Sequence, residues 1–557
     1  MFEEIVETVR GNVMVVFYAC IVLPMTISVL LSPKVSATSE FKAHRLQHFD
    51  LQGVIHGSRS HGVNMEARSA RSKSLLRKCV VIRWNDVTLS MIQTLVQQSV
   101  GAVVIVIPST LSAMSEPDTE AFVALESALL GGTFSIPVYL MHDSPELTEL
   151  VESLETNADA ESASTAAQAL LASFSANGFQ LVTTGSYGNA MTDYQLHNIV
   201  GHLSSVEGLE YGRTIVLVAH YDSFGAAPSL SYGADSNASG VVALIELARL
   251  LSRLYQNSKT RPRHNVMFLL SAGGKFNYLG TKIWIDEQVE QHDNPIHNLD
   301  FALCVDAIGH GADLKFYASK PPKSGSPGAK IIQELQLVGE RLGRPVTLVH
   351  KKVKLGQEYL DWEHERFSWK RLPGYSLTHF NDSGDPLRTS IVDIRDKVDP
   401  KILAVNIQVV AESLARYVYN LSHVDYSSLF GDSLAVRHNH VSSWLDQLTE
   451  RPRGAQLFTE PVRRDSLLQS IFASFDHWLH EVNMTTMIPD KKDPEYVMYS
   501  GSFDTMSAYR VKPAIFDLIL AIGIAAYLGM IYLLVTNFFL VQEFIQRGID
   551  QLKQKQI

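Results

Sequence analysis

The sequence predicts an α/β protein: a mostly parallel mixed sheet covered by helices, preceded by a small α/β unit and followed by a polar helical segment and one long apolar helix. Three observations predict it. From about residue 178, strand-like runs with polar ends (GRTIVLVAHYD, NVMFLLSAGG, FALCVDAIG) alternate with helical periods (VVALIELARLLSRL, ILAVNIQVVAESLARYVYNL). That order builds parallel sheets buried on both faces. Ahead of it, CVVIRWNDVTLSMIQTLVQQSVGAVVIVIP reads as strand, amphipathic helix and buried strand. Near the end, Ala514 to Leu540 is an almost unbroken apolar run, long enough as a helix to cross about 30 Å of hydrocarbon.

In chain order, residues 1–37 hold an apolar run at 13–31 and then Val35 and Ala37 in a V-x-A pattern. This reads as a secretory signal peptide. Glu3, Glu4 and Glu7 against the single Arg10, and the length of the run, also fit an uncleaved signal anchor. Residues 43–155 form the small α/β unit, 156–177 an Ala/Ser-rich linker, and 178–422 the main α/β domain. Residues 423–513 read as a polar helical segment (HVSSWLDQL, LLQSIFASFDHWLHEV), 514–540 as a transmembrane helix and 541–557 as a tail.

Asp517 falls in the first turn of that helix, where a carboxylate reaches the interface, and Tyr509, Arg510 and Lys512 flank it as anchors. Ala521, Ala525 and Gly529, four apart, form a flat stripe that a second helix can approach closely. Four sequons, at Asn237, Asn381, Asn420 and Asn483, all lie between the two apolar runs. Glycosylation requires lumenal exposure. The expectation is a single-pass type I protein of the bilayer, with residues 38–513 lumenal and the tail cytosolic.

The whole-chain properties agree. A chain of 557 residues is too long for one core and suits two or three soluble units. With 19% charged residues, a net charge of −10 and no long basic stripe, nucleic acid is not an expected partner. Lys259, Arg261 and Arg263 read as a solvated loop. Of three cysteines, Cys20 lies in the leader, and Cys79 and Cys304 sit in strand-like runs as buried free thiols. No Cys-x-x-Cys or zinc-knuckle spacing occurs.

In open α/β sheets the site gathers at the carboxyl ends of strands. Here those positions hold His220, Asp222, Gly273, Gly274 and Asp306. The order AHYD, GADSNASG, SAGG, VDAIG over about 178–422 resembles the M28 zinc aminopeptidase family. That resemblance implies two zinc ions held by a His, a bridging Asp, an acidic pair, a later Asp and a final His, with one Glu of the pair as general base. His220 matches the first ligand, Asp222 the carboxylate that orients it, and Asp306 the later Asp. Ser236 stands at the bridging position, with Asp235 one residue early. Gly273 and Gly274 replace the acidic pair, and no histidine falls near Thr389, where the last ligand belongs.

Zinc catalysis needs about three protein ligands and an open fourth position. Loss of the general base alone removes roughly 10²–10⁴-fold in rate. The expectation is a pseudoenzyme with no metal, no cofactor and no catalytic residue, in which His220, Asp222 and Asp306 form a hydrogen-bonded cluster. A ligand-binding receptor using the degenerate cleft and a residual metallopeptidase stand as alternatives.

Further blocks (FDLQG, SANGFQLVTTG, SAGGKFNYLGTK, WEHERF, AYRVKPAIFDLILAIGIAAYLGM) are similar to a nicastrin-like, inactive branch of this family in the endoplasmic reticulum membrane. That resemblance implies assembly with the Nodal modulator protein and a small multi-pass membrane protein. The complex sits beside the Sec61 translocon and the ribosome, serves multi-pass membrane protein biogenesis, and is linked to antagonism of Nodal signalling.

Overall fold

The computed structural model describes residues 39–537 except 60–61, 162–177, 184, 186–187, 193, 210–211, 292–293, 354–358, 422–427, 459–464, 488–493 and 512–513. The expected leader (1–37), the cytosolic tail (541–557) and most of the linker lie outside the described residues.

The larger sheet has eight strands in the spatial order Val346–His350, Leu314–Ala318, Gly374–Thr378, Leu299–Val305, Arg213–His220, His264–Ser271, Leu196–Leu203, His480–Met487. Arg213–His220 pairs in parallel with His264–Ser271 on one side and Leu299–Val305 on the other. The flanking pairs Leu196–Leu203 with His264–Ser271, and Leu314–Ala318 with Gly374–Thr378, are antiparallel. The sheet is therefore mixed with a parallel centre, as expected.

The central strands are continuous apolar runs because helices cover both faces. The helix Gly240–Tyr255 is buried along almost its whole length on one face of the sheet. Pro400–Tyr419 packs beside it, its start fixed by Asp399, which accepts the Lys401 N–H, and by Pro400 in the first turn.

The small domain is a closed barrel in the order Ser39–Arg45, Phe503–Val511, Gly178–Thr183, Asn64–Ser69, Cys79–Arg83, Ala102–Ile107, Val138–His142. The last three are parallel, buried strands, linked by the helices Leu89–Gln97 and Glu116–Gly131. The expected boundaries at 155 and 178 do not coincide with this unit. Phe503–Val511 pairs antiparallel with both Ser39–Arg45 and Gly178–Thr183, and closing a barrel removes the open edges a sheet would otherwise expose.

The expected helical segment 423–513 is likewise only partly helical. His438–Thr449 and Ser466–Trp478 are helices, and the strands His480–Met487, Tyr496–Tyr499 and Phe503–Val511 follow. Cys79 and Cys304 are buried free thiols.

Among the described residues, no helix is long and apolar enough to cross a membrane. The terminal helix Ala514–Thr536 has 23 residues, and the side chains of 514–517, 519, 520, 534 and 535 lie outside the description. Leu518, Ile522 and Tyr532 on it are exposed, as are Ala521, Ala525 and Gly529.

Candidate functional site

Strand Arg213–His220 ends on His220, which is fully buried. Its Nδ1 lies 3.3 Å from Glu363 Oε2, and the other Glu363 oxygen accepts from Ser271 Oγ at 2.9 Å and Thr281 Oγ1 at 2.6 Å. Glu363, from the block WEHERF, is therefore the carboxylate that faces His220. Asp222, expected in that role, instead accepts the backbone N–H of Gly274 at 2.7 Å and of Lys275 at 3.2 Å. It caps the turn that follows strand His264–Ser271.

The two glycines of that turn are required for different reasons. Gly273 has φ +64°, a left-handed conformation costly for any residue with a Cβ. A Cβ on Gly274 would sit 2.1 Å from His220 Cγ, so the imidazole occupies the space a side chain there would need.

Ser236 Oγ donates to Asp306 Oδ1 at 2.8 Å, and the Ser236 and Asp235 N–H groups donate to the Asp393 carboxylate, each at 2.8 Å. Asp235, one residue before the bridging position, has partners other than those of Asp306. It accepts from Gly309 N at 2.8 Å and lies 2.8 Å from His379 Nε2.

Two cations converge on Asp306. Arg388 donates to its Oδ2 at 3.0 Å. The Lys275 ammonium donates to Ser236 Oγ at 2.5 Å and to the Arg388 carbonyl at 2.9 Å. The Arg388 guanidinium lies 4.1 Å from the Trp362 ring centroid and donates to Tyr278 Oη at 3.1 Å. Such stacking of a desolvated guanidinium adds to its hold.

Burial alone would raise the Asp306 carboxyl, but Lys275 and Arg388 hold it well below the usual range. Burial lowers the Lys275 ammonium, with Arg388 adding to it and Asp306 opposing. Burial and the neighbouring Asp235 push Asp393 up. Burial would lower His379, but Asp235 raises it.

These residues do not fit a zinc pair. Both Asp306 oxygens are engaged by protein groups and two side-chain cations sit within the cluster. Although His220 Nε2 is buried without a partner among the described residues, the carboxylate ligand set beside it is therefore already taken. Thr389, near the place of the last ligand, offers only a hydroxyl, directed at the Pro386 carbonyl. Among the described residues, no group of three or more His, Cys, Asp or Glu is placed to hold a metal ion. His220, Asp222, Gly273, Gly274, Ser236 and Asp306 lie in one region, but His220, Asp222 and Asp306 do not form the expected hydrogen-bonded cluster. Each bonds to other groups: His220 to Glu363, Asp222 to the Gly274 and Lys275 amides, and Asp306 to Ser236 and Arg388. Lys275, Glu363, Arg388 and Asp393 were not anticipated; the one sequence signal for them is Lys275, directly after the glycine pair.

The sequons divide. Asn381, Asn420 and Asn483 are exposed. Asn237 is fully buried, and its Nδ2 donates to the Val305 carbonyl at 2.8 Å. A glycan would need that nitrogen and open space, so the folded structure contradicts Asn237 as an acceptor.

The profile of Peptidase family M28 matches residues 198–383. The crystal structure of the gamma-secretase component nicastrin superposes with a TM-score of 0.59 at 10% identity, covering 86% of this chain and 100% of nicastrin. The chain thus contains a Peptidase family M28 domain, and its fold is shared with nicastrin.

Among full-length relatives, BOS complex subunit ncln of Danio rerio is 40% identical over 570 residues, 98% of either chain. BOS complex subunit NCLN of Homo sapiens is 39% identical, over 94% of this chain and 93% of its own. Nicalin of Caenorhabditis elegans is 32% identical, over 96% of this chain and 97% of its own. The chain belongs to the nicalin family.

Proposed function

We propose that this chain is a non-catalytic scaffold subunit of a membrane protein complex in the endoplasmic reticulum. The observation that carries the non-catalytic part is the cluster around Asp306, where Lys275 and Arg388 supply the positive charge that a peptidase draws from metal. Without a metal to activate water and without a carboxylate base, hydrolysis lacks both of its main accelerations.

The scaffold part rests on relatives named as BOS complex subunits, which match from end to end. In this reading the chain assembles with a Nodal modulator protein and a small multi-pass membrane protein beside the Sec61 translocon and the ribosome. It supports the biogenesis of multi-pass membrane proteins, and through the same complex it opposes Nodal signalling. In this reading the apolar run 514–540 crosses the bilayer; it extends past the described residues, and the 23 residues of the helix Ala514–Thr536 within it rise about 34 Å at ~1.5 Å per residue. Its exposed Ala521, Ala525 and Gly529 offer a flat face to a partner helix. The folded bulk is lumenal, with glycan acceptors at Asn381, Asn420 and Asn483.

Purification of the tagged full chain from membranes in mild detergent tests this. The expected result is co-purification with a Nodal modulator protein and ribosome-bound translocons, with no peptide hydrolysis on addition of Zn²⁺. A monodisperse monomer, or turnover that a chelator abolishes and zinc restores, refutes it.

A further inference from the structure

The helix Glu116–Gly131 of the small domain turns an apolar face inward through Phe122, Val123 and Leu129, and Glu126 lies on that same buried face with 2% of its surface exposed. A carboxylate is costly there unless its oxygens are met by donors. All of its donors come from the large domain. Ala226 N–H reaches Oε1 at 2.6 Å, Ile391 N–H reaches Oε1 at 3.0 Å and Oε2 at 3.2 Å, and the Ser390 hydroxyl donates to Oε2. Ala226, Ala227, Leu230, Ile391 and Val392 complete one apolar cluster with the small-domain side chains around Glu126. The two domains thus share a core as well as a polar contact.

The segment 388–393, which Glu126 grips, is also the segment that assembles the degenerate site. Arg388 holds Asp306 with its guanidinium and Lys275 with its carbonyl. Asp393, five residues on, holds the N–H groups of Asp235 and Ser236. Between these two attachments lie Ser390 and Ile391, the residues bound to Glu126. We infer that Glu126 is a latch through which the small domain and the degenerate site are one conformational unit. The segment 388–393 cannot leave the site without releasing the domain, and the domain cannot swing without opening the site. The former catalytic cleft then serves as the joint between the domains.

Hydrogen exchange on the full chain in detergent, read in peptides covering 224–240 and 386–394, tests the latch. Glu126→Ala leaves three donors without an acceptor and is expected to speed exchange about tenfold at Ile391 and also at Asp235 and Ser236, which Glu126 does not touch. Exchange in the helix Ser466–Trp478, whose buried side chains belong to a different apolar cluster, is expected to stay unchanged. Glu126→Gln keeps one acceptor oxygen and is expected to stay within about twofold of the parent. The coupling is reciprocal, so Arg388→Met, made in the site, is expected to speed exchange at Ile391 and Ala226.

Faster exchange at Ile391 with Asp235 and Ser236 still protected overturns the proposal, because the two attachments are then independent. Uniform acceleration that includes Ser466–Trp478 also overturns it, as plain destabilisation. If Glu126→Ala yields no folded protein, Ser390→Ala and Arg388→Met decide by the same two peptides.

Discussion

Gly274→Ala is the sharpest test of how the site is packed. The added methyl would stand 2.1 Å from His220 Cγ and 2.2 Å from its Cβ, far inside contact distance. His220 cannot retreat freely: it is fully buried, ends a central strand paired on both sides, and is held at Nδ1 by Glu363. Overpacking of this kind typically costs about 1–3 kcal/mol, and a site hemmed in by backbone belongs at the upper end. At about 3 kcal/mol, the thermal midpoint of the domain falls by roughly 6 °C or more. Gly273→Ala meets no atom closer than 3.4 Å and pays only the left-handed backbone penalty, about 1–2 kcal/mol. Gly274→Ala is therefore expected to be the worse of the two. Thermal unfolding of the parent, both single variants, His220→Gly and the His220→Gly/Gly274→Ala double checks this. Removing the whole His220 side chain, Cβ included, makes room for the methyl, so the double variant is expected to be more stable than additivity allows by about 1–3 kcal/mol. A Gly274→Ala variant within 0.5 kcal/mol of the parent, roughly, or strict additivity in the cycle, would refute the argument.

Asp306→Asn strands Lys275 and Arg388 without their shared counter-charge and is expected to cost about 3–5 kcal/mol in denaturant unfolding, more than Lys275→Met, which leaves the Arg388 pair intact. Burial chiefly pushes the Glu126 carboxyl from 4.5 to about 7. The folded state therefore keeps a proton that the unfolded chain has released, and its stability falls as pH rises through that window. Measured against Glu126→Gln, the loss between pH 4.5 and pH 7 is expected to reach about 3 kcal/mol; a difference that grows in the other direction contradicts the assigned burial. Asn237→Gln is expected to leave the endoglycosidase-sensitive mobility of the protein unchanged, because the Asn237 amide is buried against Val305. A faster band would show that the residue carries a glycan.

The centre of the fold was legible because buried parallel strands are written as unbroken apolar runs: Arg213–His220, His264–Ser271 and Leu299–Val305 all read so. The edges were not. His480–Met487 (HEVNMTTM) is largely exposed and polar, so it carries neither a buried run nor a clean alternation. Phe503–Val511 closes the barrel against Ser39–Arg45, a pairing between opposite ends of the chain that leaves no local signal. At the site, the glycines at 273 and 274 could be read directly, because the lack of a side chain needs no geometry. What gathers beside them was not visible, since Glu363, Arg388 and Asp393 reach the cluster only through tertiary folding. Asp222 shows the limit most clearly: its position fits a role beside His220, while its oxygens are turned to the Gly274 and Lys275 amides.

On the reading proposed above, in which glycines stand where an active enzyme of this frame carries an acidic pair, two requirements of different kinds arise, one of volume and one of charge. A large void in a packed core costs in proportion to its size, and here the ring of His220 lies against the Gly274 position. A buried Asp306 without a cation would be protonated or destabilising; here Arg388 and Lys275 keep it ionised. Because different residues meet the two requirements, no single reversal restores the old site. A carboxylate put back at 274 collides with His220, and one put back at Ser236 finds the Lys275 ammonium already there. The same substitutions also explain why the cleft became a joint. Arg388, recruited for charge, lies two residues before Ser390 and three before Ile391, so the segment that neutralises Asp306 is the one that Glu126 of the small domain grips.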